Sequence, residues 1–301
     1  MFIRVKDNLK TILTNLNSNN FDFTNIFIDP IWYTLIKTFF EKNNLDLNQI
    51  KFSKESMEFL TTLWFFNQKD FDLSNLKMKK ILPIKTIDSS EEEINDISEE
   101  FEKLLKEYLI VEDKRLLEDF YTMTSELLNN IVHHSWKRDV FDNTEDEEIC
   151  SNFQTGQYFL KSNFIQIAIV DSGIWIYASI KKKHKNIKTT QMALEKAFLE
   201  GVTGGYTHKL KKKDLKNQSN RWIGLTKCLN IVKENKWDLL LWTKDCLFTY
   251  EGKTWKKNYE NFDNNLWTWT FIVFNIYIEN NKDNLIKESK TIEDSWIDFK
   301  N

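Results

Sequence analysis

The chain has 301 residues, 41% of them apolar, and a formal net charge of −3. That length leaves room for two domains of about 100–200 residues each, with sizeable cores. The charge balance gives no bulk electrostatic reason to expect nucleic acid as a partner, and no apolar run approaches the ~18–20 residues that span a bilayer, so no membrane partner is expected either.

Phe27–Ile28 closes an apolar stretch, Asp29–Pro30 follows as a turn, and Ile31–Phe40 has helical apolar spacing. Ser53–Phe66 gives a second helix. Residues 1–90 therefore read as a small α/β unit in strand–turn–helix order. Residues 67–92 are polar and mixed, with Pro83 and then the acidic run Asp88–Asn95, which places a domain boundary near residue 90. Ile94–Leu109 and Lys114–Ser135 read as long helices. After a polar connection, Asp139–Gln157, the run Phe164–Val170 (FIQIAIV) reads as a buried strand. Gln191–Glu200 and Gly224–Glu234 are helical, with a Gly- and Lys-rich loop, 201–220, between them. Leu239–Thr243, Leu247–Glu251 and Trp267–Ile278 read as strands closing a sheet. Residues 280–301 form a polar tail.

Three cysteines, Cys150, Cys228 and Cys246, lack metal-ligand spacing, and no N-terminal segment reads as a secretion signal. A reducing cytoplasm is the simplest location. Asn, Lys, Ile and Phe are frequent while Ala, Gly and Pro are scarce, so a Lys-rich run carries less meaning here than usual.

Three stretches carry candidate chemistry. On a helical wheel Leu116, Phe120, Met123, Leu127 and Ile131 form one apolar stripe. Glu126 and Asn130 lie together on its flank, Asn129 points further away, and His134 falls on the apolar face. A carboxylate and an amide on the margin of a buried face suit a general base and a Mg²⁺ ligand; a polar flank meeting solvent explains the same spacing. Asp171–Ser172–Gly173 follows the buried strand. A carboxylate there is placed to accept a hydrogen bond from an amine such as adenine N6, and Gly173 lets backbone approach a flat ring; an ordinary turn is the alternative. The loop from Gly201 runs through Lys209–Lys213 into Trp222–Ile223–Gly224–Leu225 and a helix N-terminus, which reads as a phosphate cradle or as an exposed loop with solvated lysines.

Taken in order, these stretches resemble the GHKL ATPase superfamily of gyrases, histidine kinases and MutL, and most nearly its anti-sigma-factor serine kinases. The resemblance covers roughly residues 95–278. Glu126-x-x-x-Asn130-x-x-x-His134-Ser135 is similar to the N-box, Asp171–Ser172–Gly173–Ile174–Trp175 to the first glycine box and Gly201-x-Thr203 to the start of the ATP lid. Trp222–Ile223–Gly224–Leu225 is similar to the second glycine box, and Trp269–Thr270 sits where the last strand carries Gly-Thr. More weakly, residues 1–90 resemble a STAS domain, although Pro30 stands where the phosphoacceptor Ser or Thr is found.

The resemblance implies an α/β fold, with a Bergerat-type mixed sheet at 91–279 covered by helices on one face and a smaller STAS-like domain at 1–90. It implies ATP and Mg²⁺ as cofactors, Glu126 as general base and Asn130 as metal ligand. Asp171 would anchor adenine, with Gly173 beside the base. His134, Thr203, Gly224, Leu225 and Thr270 complete the cofactor-binding set. Tryptophan replaces a glycine of each box, at Trp175 and Trp222, and an indole there either blocks the pocket or stacks on the purine. The function expected is a cytoplasmic ATP-binding regulator that hydrolyses ATP or phosphorylates a protein partner on Ser/Thr, with Ile94–Leu109 as a surface for homodimerisation. The alternative is a catalytically inactive protein-interaction module. A DNA-transaction ATPase lacks support, because there is no basic face.

Overall fold

A computed structural model describes residues 2–25, 30–54, 56–57, 60, 81–86, 98–99, 106, 114–135, 153–159, 164–172, 176–199, 224–262 and 269–277. Helix α1 (Phe2–Asn17) lies before the first expected element and buries Leu9, Ile12, Leu13 and Leu16 along one stripe. Strand β1 (Asp22–Phe23), helix α2 (Pro30–Lys42) and strand β2 (Lys51–Phe52) follow, with β1 and β2 pairing in parallel. Proline opens α2, where its fixed φ and missing N–H do no harm. Next come β3 (Ile81–Thr86), α3 (Lys114–Ser135), β4 (Phe153–Phe159) and β5 (Phe164–Asp171). Then come α4 (Ile176–Lys183), α5 (Thr190–Ala197), α6 (Gly224–Glu234), β6 (Asp238–Thr243), β7 (Cys246–Glu251), β8 (Lys256–Asn261) and β9 (Thr270–Tyr277). No described helix is long and apolar enough to cross a membrane. Most of the expected helices Ser53–Phe66 and Ile94–Leu109 lies outside the described residues, as does all of the tail beyond 277.

Helices α1, α2 and α6 stop in the same way. A residue with positive φ follows each, namely Asn19 (53°), Asn44 (52°) and Lys236 (55°). The next residue then donates its N–H five residues back, from Asn20 to Asn15, Leu45 to Phe40 and Trp237 to Val232, at 2.8–2.9 Å. The left-handed residue turns the chain and satisfies carbonyls that the helix end leaves open.

Seven strands form one sheet in the order β3-β4-β5-β9-β6-β7-β8. Every neighbouring pair is antiparallel. Among the described residues the sheet is therefore antiparallel rather than the mixed sheet expected, and parallel pairing is confined to β1 and β2. The reason is where the last strand goes. Strands β5 and β6 run the same way, joined by a helical crossover through α4, α5 and α6, but β9 inserts between them and is antiparallel to both. A one-strand gap left by the crossover thus receives the chain's final strand.

Helices cover both faces of this sheet rather than one. Strand β5 is buried at Phe164 through Val170 without alternation, and β6 is buried along its whole length. A strand apolar on both sides needs cover on both sides. Ile165, Ile167 and Ile169 share one core with Phe120, Met123 and Leu127 of α3 and Cys228, Leu229 and Val232 of α6. Ala168, Val170, Trp242, Phe271 and Val273 on the opposite face share another with α1, α2 and the β1–β2 pair. Trp32 of α2 packs its ring 5.1 Å from Phe271 of β9. Residues 2–52 therefore build their core jointly with the sheet. Lys37 of α2 is 2% exposed within this layer and faces Glu41 at 3.7 Å. Burial lowers the lysine's pKa and raises that of the carboxyl.

Four strands were not expected: β2, β3, which lies in the stretch read as polar and mixed, β4 and β8. The residues of β4 (FQTGQYF) fall partly in the stretch read as a polar connection, and β8 (KKNYEN) is a largely exposed edge. Lysines on an outer strand discourage pairing with another chain. The β7–β8 turn holds a tight contact: a Cβ on Gly252 would lie 2.1 Å from the Lys236 carbonyl carbon and 2.3 Å from the Trp237 oxygen. Glycine lets that turn lie directly on the end of α6, where its N–H donates to Asp238 Oδ1 at 2.9 Å.

Candidate functional site

Helices α3 and α6 lie side by side and antiparallel. Arg115 Nη2 meets Glu234 Oε2 at 3.3 Å, and Asn235 Nδ2 donates to Asp119 Oδ2 at 2.8 Å. Further along, the Cys228 thiol points to the Met123 carbonyl at 3.6 Å, and Lys227 Nζ meets Glu126 Oε1 at 3.3 Å. The series ends where Asn130 reaches Gly224, the first residue of α6. A Cβ there would be 2.7 Å from Asn130 Nδ2 and 3.3 Å from Oδ1.

A Cβ at residue 224 would push the amide aside, so glycine allows this close approach. The N–H groups of the first turn of α6 have no role in the helix ladder, and they carry the positive end of its dipole. The Asn130 amide is thus held at the mouth of an anion-favouring helix end. Thr226 fixes that end from the other side, donating from Oγ1 to the Leu199 carbonyl at 3.2 Å. Leu225 is partly buried and bridges the main core to the small cluster of Ile180, Ile187, Ala193 and Ala197.

The sheet contributes a row of polar residues beneath. Asp171 ends β5 and pairs directly with Thr270, which opens β9; Thr270 in turn pairs with Thr243 at the end of β6. Strand alternation puts all three on the face of Ile169, Ile272 and Leu241, the face that α3 and α6 cover. Thr243 Oγ1 and Thr270 Oγ1 are 3.4 Å apart, and both residues are buried. Asp171 is half-buried.

The helix pair and the polar row meet at one end of the sheet. Three residues separate α6 from β6, so the two run antiparallel. At about 1.5 Å per residue in a helix and 3.3 Å in a strand, their lengths nearly match. The start of α6 therefore stands over the end of β6, bringing Asn130 and Gly224 to the same end and face as Asp171, Thr270 and Thr243.

This corner offers an amide, two carboxylates, two hydroxyls and a helix N-terminus. Among the described residues no three His, Cys, Asp or Glu side chains converge as a metal cage. Asn130 supplies one amide oxygen to this corner, and the Glu126 carboxylate beside it already faces Lys227. Among the described residues, Cys228 and Cys246 are buried thiols. Burial raises the Cys228 thiol strongly and pushes Cys246 up to about 12.

Of the residues singled out from sequence, the structure sets Asn130 against Gly224, with Glu126 on the same seam and Leu225 packed behind, and it pairs Asp171 with Thr270. His134 lies in the last turn of α3, its side chain outside the described residues. Gly173, Thr203, Trp175 and Trp222 also lie outside them. Lys227 and Thr243 were missed. Lys227 follows Gly224 by three residues, so helical spacing placed it near that end, but only packing pairs it with Glu126. Thr243 joins the row through strand register, which no local pattern encodes.

In comparisons with known proteins, no family model matched the chain, and no curated protein or solved structure matched it.

Proposed function

We propose that the protein is an ATP-binding regulator of the GHKL type that uses Mg²⁺ and acts on, or is read by, a protein partner in the cytoplasm. The observation that carries this reading is the contact of the Asn130 amide with Gly224. A Mg²⁺-bound phosphate chain needs a hard oxygen ligand beside free N–H donors, and the nearness of the Asn130 amide to the helix start supports such a pairing. Support comes also from Asp171 and Thr270, set side by side on the same face for an adenine edge. The Bergerat-type architecture is supported by the placing of the three motif-bearing elements at one end of one sheet. The parallel β1–α2–β2 unit is what remains of the STAS-like expectation.

In this reading Asn130 offers its amide oxygen to Mg²⁺, which neutralises phosphate charge when bound. The first turn of α6 receives phosphate oxygens. Asp171 would accept a hydrogen bond from the adenine amine. Glu126 takes the proton from the attacking group as its oxygen bonds to the terminal phosphorus and ADP departs. That group is water in hydrolysis, or a Ser/Thr hydroxyl of the partner in transfer.

Calorimetric titration of the full chain with Mg²⁺ and a non-hydrolysable ATP analogue tests the reading. Binding well below millimolar concentration is expected; none at millimolar ligand overturns it. A second reading, an interaction module without turnover, is favoured by the engagement of Glu126 with Lys227 at 3.3 Å. Binding without phosphate release or transfer would support it.

A further inference from the structure

Resting on that reading, we infer that Lys227 is a specificity-determining residue of the site, distinguishing a nucleoside triphosphate from a diphosphate by sharing its ammonium between Glu126 and the terminal phosphate. Its Nζ lies 3.3 Å from Glu126 Oε1. The lysine side chain is 46% exposed and the glutamate 19%, so the ammonium is the more solvent-accessible member of the pair. Lys227 lies in the first turn of α6, three residues beyond Gly224, on the side that faces α3.

A general base must stand within one water of the atom its nucleophile attacks. The terminal phosphate of a bound triphosphate therefore comes within about 6 Å of Glu126, inside the sweep of a four-carbon lysine stem. The ammonium has three donors and can hold the carboxylate and a phosphate oxygen together. The inner phosphates are left to the first turn of α6 and to Asn130. A diphosphate thus gains little from Lys227, while a triphosphate gains a charge-assisted hydrogen bond.

Arg115 and Glu234 form a second, more exposed ion pair at the far end of the same interface, also at 3.3 Å. Arg115→Met consequently serves as the control for loosened packing.

The experiment measures affinities of wild type, Lys227→Met, Lys227→Arg and Arg115→Met for Mg²⁺–AMPPNP and for Mg²⁺–ADP. Lys227→Met is expected to weaken the triphosphate analogue about tenfold and to leave ADP within about twofold. Lys227→Arg should recover part of the loss, and Arg115→Met should change neither. Equal weakening of both ligands by Lys227→Met, or the same triphosphate-selective loss in Arg115→Met, overturns the inference while leaving the nucleotide site standing. No change with either ligand also overturns it. Failure of wild type to bind either ligand overturns the site itself, and the inference with it.

Discussion

The amide of Asn130 lies so close to Gly224 that a methyl group on the glycine would come within 2.7 Å of Nδ2. Two helices that share a long seam thereby end in a contact between a side chain and bare backbone. The pairs along the seam, from Arg115–Glu234 to Glu126–Lys227, fix the register that makes the contact.

Gly224→Ala tests that contact. The amide is the far end of a short side chain, so the added methyl displaces it rather than unfolding the helix. A site built around the amide should lose at least about tenfold in affinity for the Mg²⁺–ATP analogue, as expected when one charge-assisted ligand is misplaced. The melting temperature should hardly move, since alanine suits a helix better than glycine does. Unchanged affinity would show that Asn130 does not touch the ligand.

Glu126→Gln keeps the shape and removes the base. Phosphate release or transfer should fall by at least about 100-fold, the usual contribution of a general base, with affinity nearly intact. A parallel loss of affinity would mark Glu126 as structural, holding Lys227 and α6 in place.

Gly252→Ala is predicted to destabilise the fold without touching the site. The atoms it meets, in Lys236 and Trp237, are backbone and cannot step aside. Overpacking of this kind costs about 1–3 kcal/mol, and the midpoint of urea unfolding should drop accordingly.

Trp32→Ala asks whether the N-terminal helices and the sheet are one cooperative unit. Trp32 is fully buried against Phe271. Its truncation should cost about 3–5 kcal/mol, and hydrogen exchange should rise in β9 and β6 as well as in α2. Loss of protection in α2 alone would show that the N-terminal elements unfold separately.

Alkali should weaken the fold in a defined window. Burial, with Asp245 and Glu195 adding to it, raises Cys246 from 9.0 to about 12, and burial raises Tyr259 from 10.0 to about 12. The unfolded chain releases these protons first, so their contribution is complete below about pH 9 and is lost as the pH rises toward 12. Cys246→Ala should make the decline of unfolding free energy between pH 9 and 12 shallower, whatever its effect on absolute stability. An unchanged slope would show that the thiol titrates alike in both states.

The sequence by itself determined what depends on near neighbours. The spans Lys114–Ser135 and Gly224–Glu234 coincide with the helices found, because apolar period and a glycine start are local signals. Strands β5, β6, β7 and β9 were legible as apolar runs, and the wheel alone put Asn130 and Glu126 together on the flank of the apolar stripe. Tertiary structure decided what depends on partners far apart in the chain. It inserted β9 between β5 and β6, covered the second face of the sheet with α1 and α2, and paired polar β4 and β8, whose composition gave no strand signal. It also set Thr243 beside Thr270 and Lys227 against Glu126. Register and helix packing are long-range properties, settled by which apolar surfaces bury one another, and no window of neighbouring residues contains them.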